Sequence, residues 1–189
     1  MPQMKKSVLR KQALAQRKAL SASQLTSLSE GLLAQFKLLD LSFVRVLHIF
    51  LPILEKNEPD TFLIIDWLTE HHPEIKIIVP KADFDTALMQ HYLYEGRDSL
   101  KRNLYQILEP EKGRLHTGDV DLVLIPLLAF DLIGYRVGYG KGFYDRFLSG
   151  IQTFKVGLSL FEPIERIEDS DVYDVRMDGC LTPDKTYSF

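Results

Sequence analysis

The chain has 189 residues, of which 46% are hydrophobic and 26% charged, values that suit one hydrophobic core in an ordinary globular protein. Its net charge of −3 argues against a generic nucleic-acid binder, which needs a basic face to displace phosphate counterions. No apolar run approaches the roughly 18 residues of a membrane-crossing helix, and the single cysteine, Cys180, excludes an intrachain disulfide and fits a reducing compartment. We expect one cytoplasmic domain over residues 1–189, with no membrane, nucleic-acid or obligate protein partner.

The first 18 residues carry Lys5, Lys6, Arg10, Lys11, Arg17 and Lys18 and no acid. Val8, Leu9, Ala13 and Leu20 are spaced as one face of a helix, not as the continuous apolar core of a secretory leader. Lys6 and Arg10, at i and i+4, share a side of that helix. They suit a solvated face or a clamp on an anion. Ser21-Ala-Ser23 breaks the helix and caps a second, whose apolar face is Leu25, Leu28, Leu32, Leu33, Phe36 and Leu39. Residues Val44 to Leu51 predict a strand stopped by Pro52. Thr61 to His71 has helical spacing at Phe62, Ile65, Trp67 and Leu68, with Asp60 or Thr61 as N-cap. Ile75 to Val79 predicts a second strand ended by Pro80, and Ala87 to Tyr94 an antiparallel addition. Leu122 to Leu128 and Phe154 to Leu160 complete the core strands.

Strands of continuous apolar character separated by helices predict an α/β fold: a mostly parallel sheet with helices on both faces and one added antiparallel strand. Ligands in such folds collect beyond the carboxyl ends of the strands. The segments Pro52–Thr61, Pro80–Phe84 and Ile133–Asp145 should therefore surround one cleft.

The last of these is Arg136-Val-Gly138-Tyr139-Gly140-Lys141-Gly142-Phe143-Tyr144-Asp145-Arg146 after an intervening turn. Glycines at alternate positions let successive backbone N–H groups converge on an anion, and a helix starting near Phe143 adds its own. Arg136, Lys141 and Arg146 supply fixed positive charge for phosphate oxygens. Asp145 supplies the carboxylate that usually holds Mg²⁺ beside a phosphate. The glycines alone would serve a tight turn equally well; the flanking charges point to a ligand. The segment matches neither G-x-G-x-x-G nor G-x-x-x-x-G-K-[ST], so from the residues alone the reading stops at phosphate binding. His48, His71, His72, His91 and His116 show no zinc-ligand spacing. Cys180, with no catalytic partner in view, reads as a small buried hydrophobe.

The run from Gly134 to Phe147 resembles the signature R-x-G-x-G-x-G-[YF]-Y-D of 5-formyltetrahydrofolate cyclo-ligases, and the resemblance spans the chain. Lys6-Ser-Val-Leu-Arg10 with Arg17 is similar to that family's basic first helix. Phe50-Leu51-Pro52 leading to Glu58-Pro-Asp-Thr61 is similar to its folate-contacting strand end. Asp174-Val-Arg-Met-Asp178 with Leu181-Thr182 is similar to its closing element, with Tyr173 where many members carry His.

The resemblance implies a Rossmann-like sheet of the kind found in sugar-phosphate isomerases and CoA transferases. It also implies ATP-dependent cyclisation of 5-formyltetrahydrofolate (folinic acid) to 5,10-methenyltetrahydrofolate, through an iminium phosphate, with ADP and phosphate released. ATP contacts would come from Lys6, Arg10, Arg136, Gly138, Gly140, Lys141, Gly142 and Tyr144, and folate contacts from Leu51, Glu58, Tyr139, Gly140 and Phe143. Asp145 and Asp174 would hold Mg²⁺, and Arg136, Tyr139 and Lys141 would act on the reacting groups. Two other readings stand beside it: an isomerase or CoA transferase that consumes no ATP, and a non-catalytic nucleotide- or folate-binding module.

Overall fold

The computed structural model describes residues 4–189. Two helices open the chain, α1 (Lys6–Ala19) and α2 (Ala22–Phe36). Ser21 separates them with a reciprocal cap: its Oγ accepts from the Gln24 amide at 3.2 Å, and Gln24 Oε1 accepts from the Ser21 amide at 2.8 Å. The parallel strands β1 (Val46–His48) and β2 (Lys76–Asp83) are joined by α3 (Phe62–His71), and β3 (Leu88–Leu93) returns antiparallel to β2. A small hairpin follows, β4 (Leu100–Arg102) with β5 (Leu108–Pro110). Then come β6 (Leu122–Pro126), a second hairpin of β7 (Ala129–Phe130) and β8 (Arg136–Val137), and α4 (Phe143–Ser149). Finally β9 (Phe154–Leu158) and β10 (Gly179–Leu181) lie parallel, and β11 (Thr186–Ser188) closes the edge antiparallel to β10.

The main sheet has seven strands in the order β11-β10-β9-β6-β1-β2-β3, with antiparallel strands only at its edges. Its inner strands alternate between two apolar faces. Leu47, Ile77, Val79, Leu122 and Leu124 pack under α2 and α3, with Phe36 meeting Trp67 edge-on at 5.9 Å. Ile78, Val123, Ile125 and Cys180 face the other way, under α4. Helices on both faces explain why the strand sequences read as continuous apolar runs. The mixed α/β architecture expected from the sequence is the one observed. From β1 the chain moves to β2 on one side, and later to β6, β9 and β10 on the other. That reversal splays the loops after β1 and β6 apart and opens a crevice at their carboxyl ends.

Several boundaries differ from the expectation, each for a local reason. Pro80 does not end β2, which runs on to Asp83 with Pro80 opposite His91. Strand β1 stops at His48, opposite Ile78, so beyond that point β2 has a neighbour on one side only, where a missing N–H is tolerated. Helix α3 is not capped by the Thr61 hydroxyl, which donates to the Phe50 carbonyl at 2.7 Å; Asp60 Oδ1 accepts from the Phe62 amide instead. The hairpins and the β10–β11 edge were not foreseen, because strands of two or three residues leave no period to read.

Beneath α4 the second face carries an imidazole where its neighbours are apolar. His48 is fully buried with neither ring nitrogen hydrogen-bonded among the described residues, and its ring lies 5.1 Å from that of His91 and 5.7 Å from Tyr144. Burial, and secondarily His91, holds His48 well below the usual histidine range; burial, with His116, lowers His91 to about 4. Both rings are thus neutral in the folded protein at pH values where the unfolded chain, near pKa ~6.5, takes up protons. Their contribution to stability is complete above that value and is lost as the pH falls from ~6.5 toward 4. We expect the urea midpoint to drop across this interval, and a His48→Leu/His91→Leu variant to show a smaller drop. An equal drop in the variant would assign acid sensitivity to other groups.

Candidate active site

The crevice at the ends of β1, β2 and β6 is a cleft of about 930 Å³. Every residue assigned to the site from the sequence lines it. Leu51 and Glu58 come from the turn after β1, and Arg136 from β8. Gly138, Tyr139, Gly140, Lys141 and Gly142 form the loop between β8 and α4. Phe143, Tyr144 and Asp145 lie on the first turn of α4. Lys6 and Arg10 come from α1, and Asp174 from the loop before β10. The three loops expected to meet do so.

The glycines have distinct roles. Gly140 and Gly142 take left-handed φ values of +88° and +71°, which favour glycine. A Cβ on Gly140 would also stand 3.2 Å from the Arg10 guanidinium, so the first helix packs directly against the loop. Gly138, by contrast, does not take a positive φ. A Cβ there would meet no protein atom within 4 Å. Its missing side chain leaves open space on the cleft side. Arg10 Nε donates to the Gly138 carbonyl at 2.9 Å, so that carbonyl is matched by a cation. The Lys141 ammonium is exposed and makes no hydrogen bond or ion pair among the described residues.

Opposite this loop lies a buried carboxylate that Tyr139 of the loop reaches across to meet. Glu58 is 4% exposed; its Oε1 accepts from the Tyr139 hydroxyl at 2.7 Å and its Oε2 from the Ile53 amide at 2.8 Å. Burial raises the Glu58 pKa, opposed first by the Arg17 charge, then by the Ile53 amide, Tyr139 and Lys56. Burial beside Glu58 likewise raises the Tyr139 phenol, so it remains a hydrogen-bond donor. The Tyr144 hydroxyl is buried without a partner among the described residues.

The two carboxylates proposed as metal ligands are held by cations. Asp145 Oδ1 accepts from Arg136 Nη2 at 2.7 Å and from the Val175 amide at 3.1 Å. Asp174 Oδ2 pairs with Lys6 Nζ and accepts from the Asp171 amide. Arg136 also donates to the Val175 carbonyl, so it fixes the loop carrying Asp174 as well as facing the cleft. Asp178, four residues beyond Asp174, instead receives the Lys155 amide at 2.8 Å and its ammonium at 2.9 Å at the start of β9. Among the described residues no three or more His, Cys, Asp or Glu are placed as an all-protein metal cage. A Mg²⁺ ion held mostly by phosphate and water needs only one or two carboxylates, a number that Asp145 and Asp174 can supply.

One participant was left out of the site as read from the sequence. Arg17 is buried behind Tyr139 and Glu58, with Nη1 3.2 Å from the Tyr139 hydroxyl and 4.0 Å from Glu58 Oε1. Its signal was available: positions 6, 10 and 17 fall within about 40° on a helix of 3.6 residues per turn.

The 5-formyltetrahydrofolate cyclo-ligase family matches residues 2–183 of this chain. A 5-formyltetrahydrofolate cyclo-ligase of Mycoplasma pneumoniae is 30% identical over 183 residues, covering 93% of this chain and 96% of that protein. A probable 5-formyltetrahydrofolate cyclo-ligase of Schizosaccharomyces pombe is 31% identical over 126 residues, 58% of this chain; the match spans 62% of that protein, less than two thirds of its length. The NMR structure of the 5,10-methenyltetrahydrofolate synthetase of Aquifex aeolicus superposes with a TM-score of 0.81 at 31% identity, over 97% of this chain and 92% of that one. With its site geometry in place on the fold, the chain belongs to the 5-formyltetrahydrofolate cyclo-ligase family.

Proposed function

We propose that this protein is a cytoplasmic enzyme that uses ATP to close 5-formyltetrahydrofolate to 5,10-methenyltetrahydrofolate. The observation that carries this reading is the meeting, in one cleft, of a cationic glycine loop and a buried acceptor, Glu58, held by the Tyr139 hydroxyl. The first suits a polyphosphate and the second a heterocycle with N–H groups. At about 930 Å³ the cleft lies near the upper end of small-molecule sites, roughly 300–1,000 Å³, as two substrates require.

The chemical problem is the formyl group, whose carbon is a poor electrophile because the N5 lone pair is delocalised into it. Transfer of the γ-phosphoryl group to the formyl oxygen breaks the bond to ADP and leaves an iminium phosphate. N10 of the same folate adds to the activated carbon and loses its proton. The C–O bond then breaks, and phosphate leaves with the former formyl oxygen. Phosphoryl transfer depends on positioning and charge neutralisation more than on a protein nucleophile, and this cleft offers cations, amides and carboxylates for that purpose.

In this reading Arg10, Lys141 and the amides of residues 138–142 surround the transferred group, while Lys6 and Arg136 balance the remaining phosphate charge. Tyr144 lies along the nucleotide. Leu51 and Phe143 enclose the folate ring, with Glu58 accepting its N–H groups and Tyr139 holding Glu58 in place. Mg²⁺ held by Asp145 and Asp174 would neutralise charge on the phosphates. Both carboxylates are available to it only if Arg136 and Lys6 shift part of their contact to the nucleotide.

Purified protein should consume ATP and develop the near-ultraviolet chromophore of methenyl-folate only when 5-formyltetrahydrofolate and Mg²⁺ are both present. ATP loss independent of folate, or product without ATP, would sink the assignment. Arg10→Ala should raise the KM for ATP about ten- to a hundred-fold, corresponding to a charged hydrogen bond of about 1.5–3 kcal/mol, and change the folate KM far less. The exposed neighbour Lys11, about 100° away around the helix, provides the control, and Lys11→Ala should alter neither constant. Equal behaviour of the two variants would remove α1 from the nucleotide site.

A further inference from the structure

Arg17 has the largest side chain that the fold buries completely, 2% exposed on the inner face of α1. A guanidinium out of water costs several kcal/mol unless it is paired, so its partners carry information. Nη1 donates to the Tyr139 hydroxyl at 3.2 Å and lies 4.0 Å from Glu58 Oε1; Nη2 donates to the Leu127 carbonyl just beyond β6. Nε has no hydrogen-bond partner among the described residues. The Arg17 carbonyl accepts from Asn57 Nδ2 at 2.7 Å, and Asn57, in left-handed conformation at φ 45°, leads directly into Glu58. Helix α1, the end of β6, the glycine loop and the turn after β1 therefore meet at one residue. Arg17 does not line the cleft. It reaches a ligand only through Tyr139 and Glu58.

We propose that Arg17 is a positioning residue that keeps Glu58 a charged acceptor for the folate, by holding its carboxylate ionised and directing the Tyr139 hydroxyl onto Oε1. The inference rests on the folate reading of Glu58. Glu58 is faced by Arg17 from α1, Tyr139 from the glycine loop, Tyr144 from α4, and Lys56 with the Ile53 amide from its own turn. Arg17 and Lys56 are the cations in that set. Lys56 is exposed, so water screens it, whereas the buried Arg17 acts across low dielectric. Burial favours the protonated carboxyl. Without Arg17 that tendency prevails, and a protonated Glu58 loses one acceptor oxygen. Folate binding holds above the Glu58 pKa and weakens as the pH falls through it. Removing Arg17 moves the weakening to higher pH.

The test uses Arg17→Met, Arg17→Lys and Glu58→Gln. KM for 5-formyltetrahydrofolate and for ATP is followed against pH, and the Glu58 carboxyl is titrated by ¹³C NMR in ligand-free protein. Arg17→Met should raise the folate KM about ten- to a hundred-fold at neutral pH, leave the ATP KM within about twofold, and shift the Glu58 titration upward by more than about one unit. Arg17→Lys should restore the titration but only part of the folate KM, since the contact to Tyr139 is lost. Replacing Arg17 by Met in the Glu58→Gln background should add less than about threefold to the folate KM, because a neutral amide needs no counter-charge. This double variant also serves if Arg17→Met alone fails to fold. An unmoved Glu58 titration, an equal rise in both KM values, or a further tenfold loss in the Glu58→Gln background would overturn the proposal. If the wild-type protein fails to bind 5-formyltetrahydrofolate, the folate reading fails and this inference with it. Normal binding with an unmoved titration removes the role of Arg17 alone.

Discussion

Glu58 is a carboxylate almost wholly withdrawn from water, and the surrounding elements are arranged to make that tolerable. An ion in this position costs several kcal/mol unless charges and hydrogen bonds replace its hydration. Its replacements come from separated parts of the sequence: an amide five residues earlier, a hydroxyl 81 residues later and a guanidinium 41 residues earlier. Satisfying it fixes the glycine loop to the turn after β1, and both of them to the first helix. Helix α1 thus belongs to the site, although it packs on the β7–β8 hairpin through Leu9, Val137 and Ile167 and away from the main sheet. One face of that helix delivers Lys6 and Arg10 to the cleft and Arg17 to the layer behind it.

The glycine-loop half of the cleft follows a different electrostatic logic. Its carboxylates and cations are matched within the protein, Arg136 with Asp145 and Lys6 with Asp174. Exposure is distributed differently within them: Arg136 is nearly enclosed while its partner Asp145 is 31% exposed, and Lys6 and Asp174 are 19% and 17% exposed. On the proposed reading, phosphate oxygens would draw Lys6 and Arg136 toward the nucleotide, leaving Asp174 and Asp145 to hold Mg²⁺. The Arg136–Asp145 pair is also bound to both the amide and the carbonyl of Val175.

Much of this was legible in the sequence, and what was not has physical causes. The inner strands and α2 were readable because each carries enough apolar residues to show its period. The β10 strand, Gly179–Leu181, was not, since three residues next to a long acidic loop show none. Pro80 misled for a related reason: a proline marks the end of a strand with two neighbours, and the early end of β1 is a property of the sheet. The glycine loop was legible because its chemistry is contiguous. Gly138 shows the limit of that reading, since its role lies in open cleft space and not in its own backbone conformation. Helical spacing places Arg17 on the face of Lys6 and Arg10 but does not tell it from a further surface cation. What sets it apart is burial against Tyr139 and Glu58, a contact over 122 residues of sequence that no local pattern encodes.

In the proposed reaction the cleft would bring the formyl oxygen against the γ-phosphate, so that this oxygen leaves as part of the phosphate. This is tested most directly with 5-formyltetrahydrofolate carrying ¹⁸O in its formyl group, turned over with unlabelled ATP in unlabelled water, and mass analysis of the released inorganic phosphate. The account predicts one ¹⁸O atom in each phosphate formed. Unlabelled phosphate, with the heavy oxygen recovered in water, would contradict it.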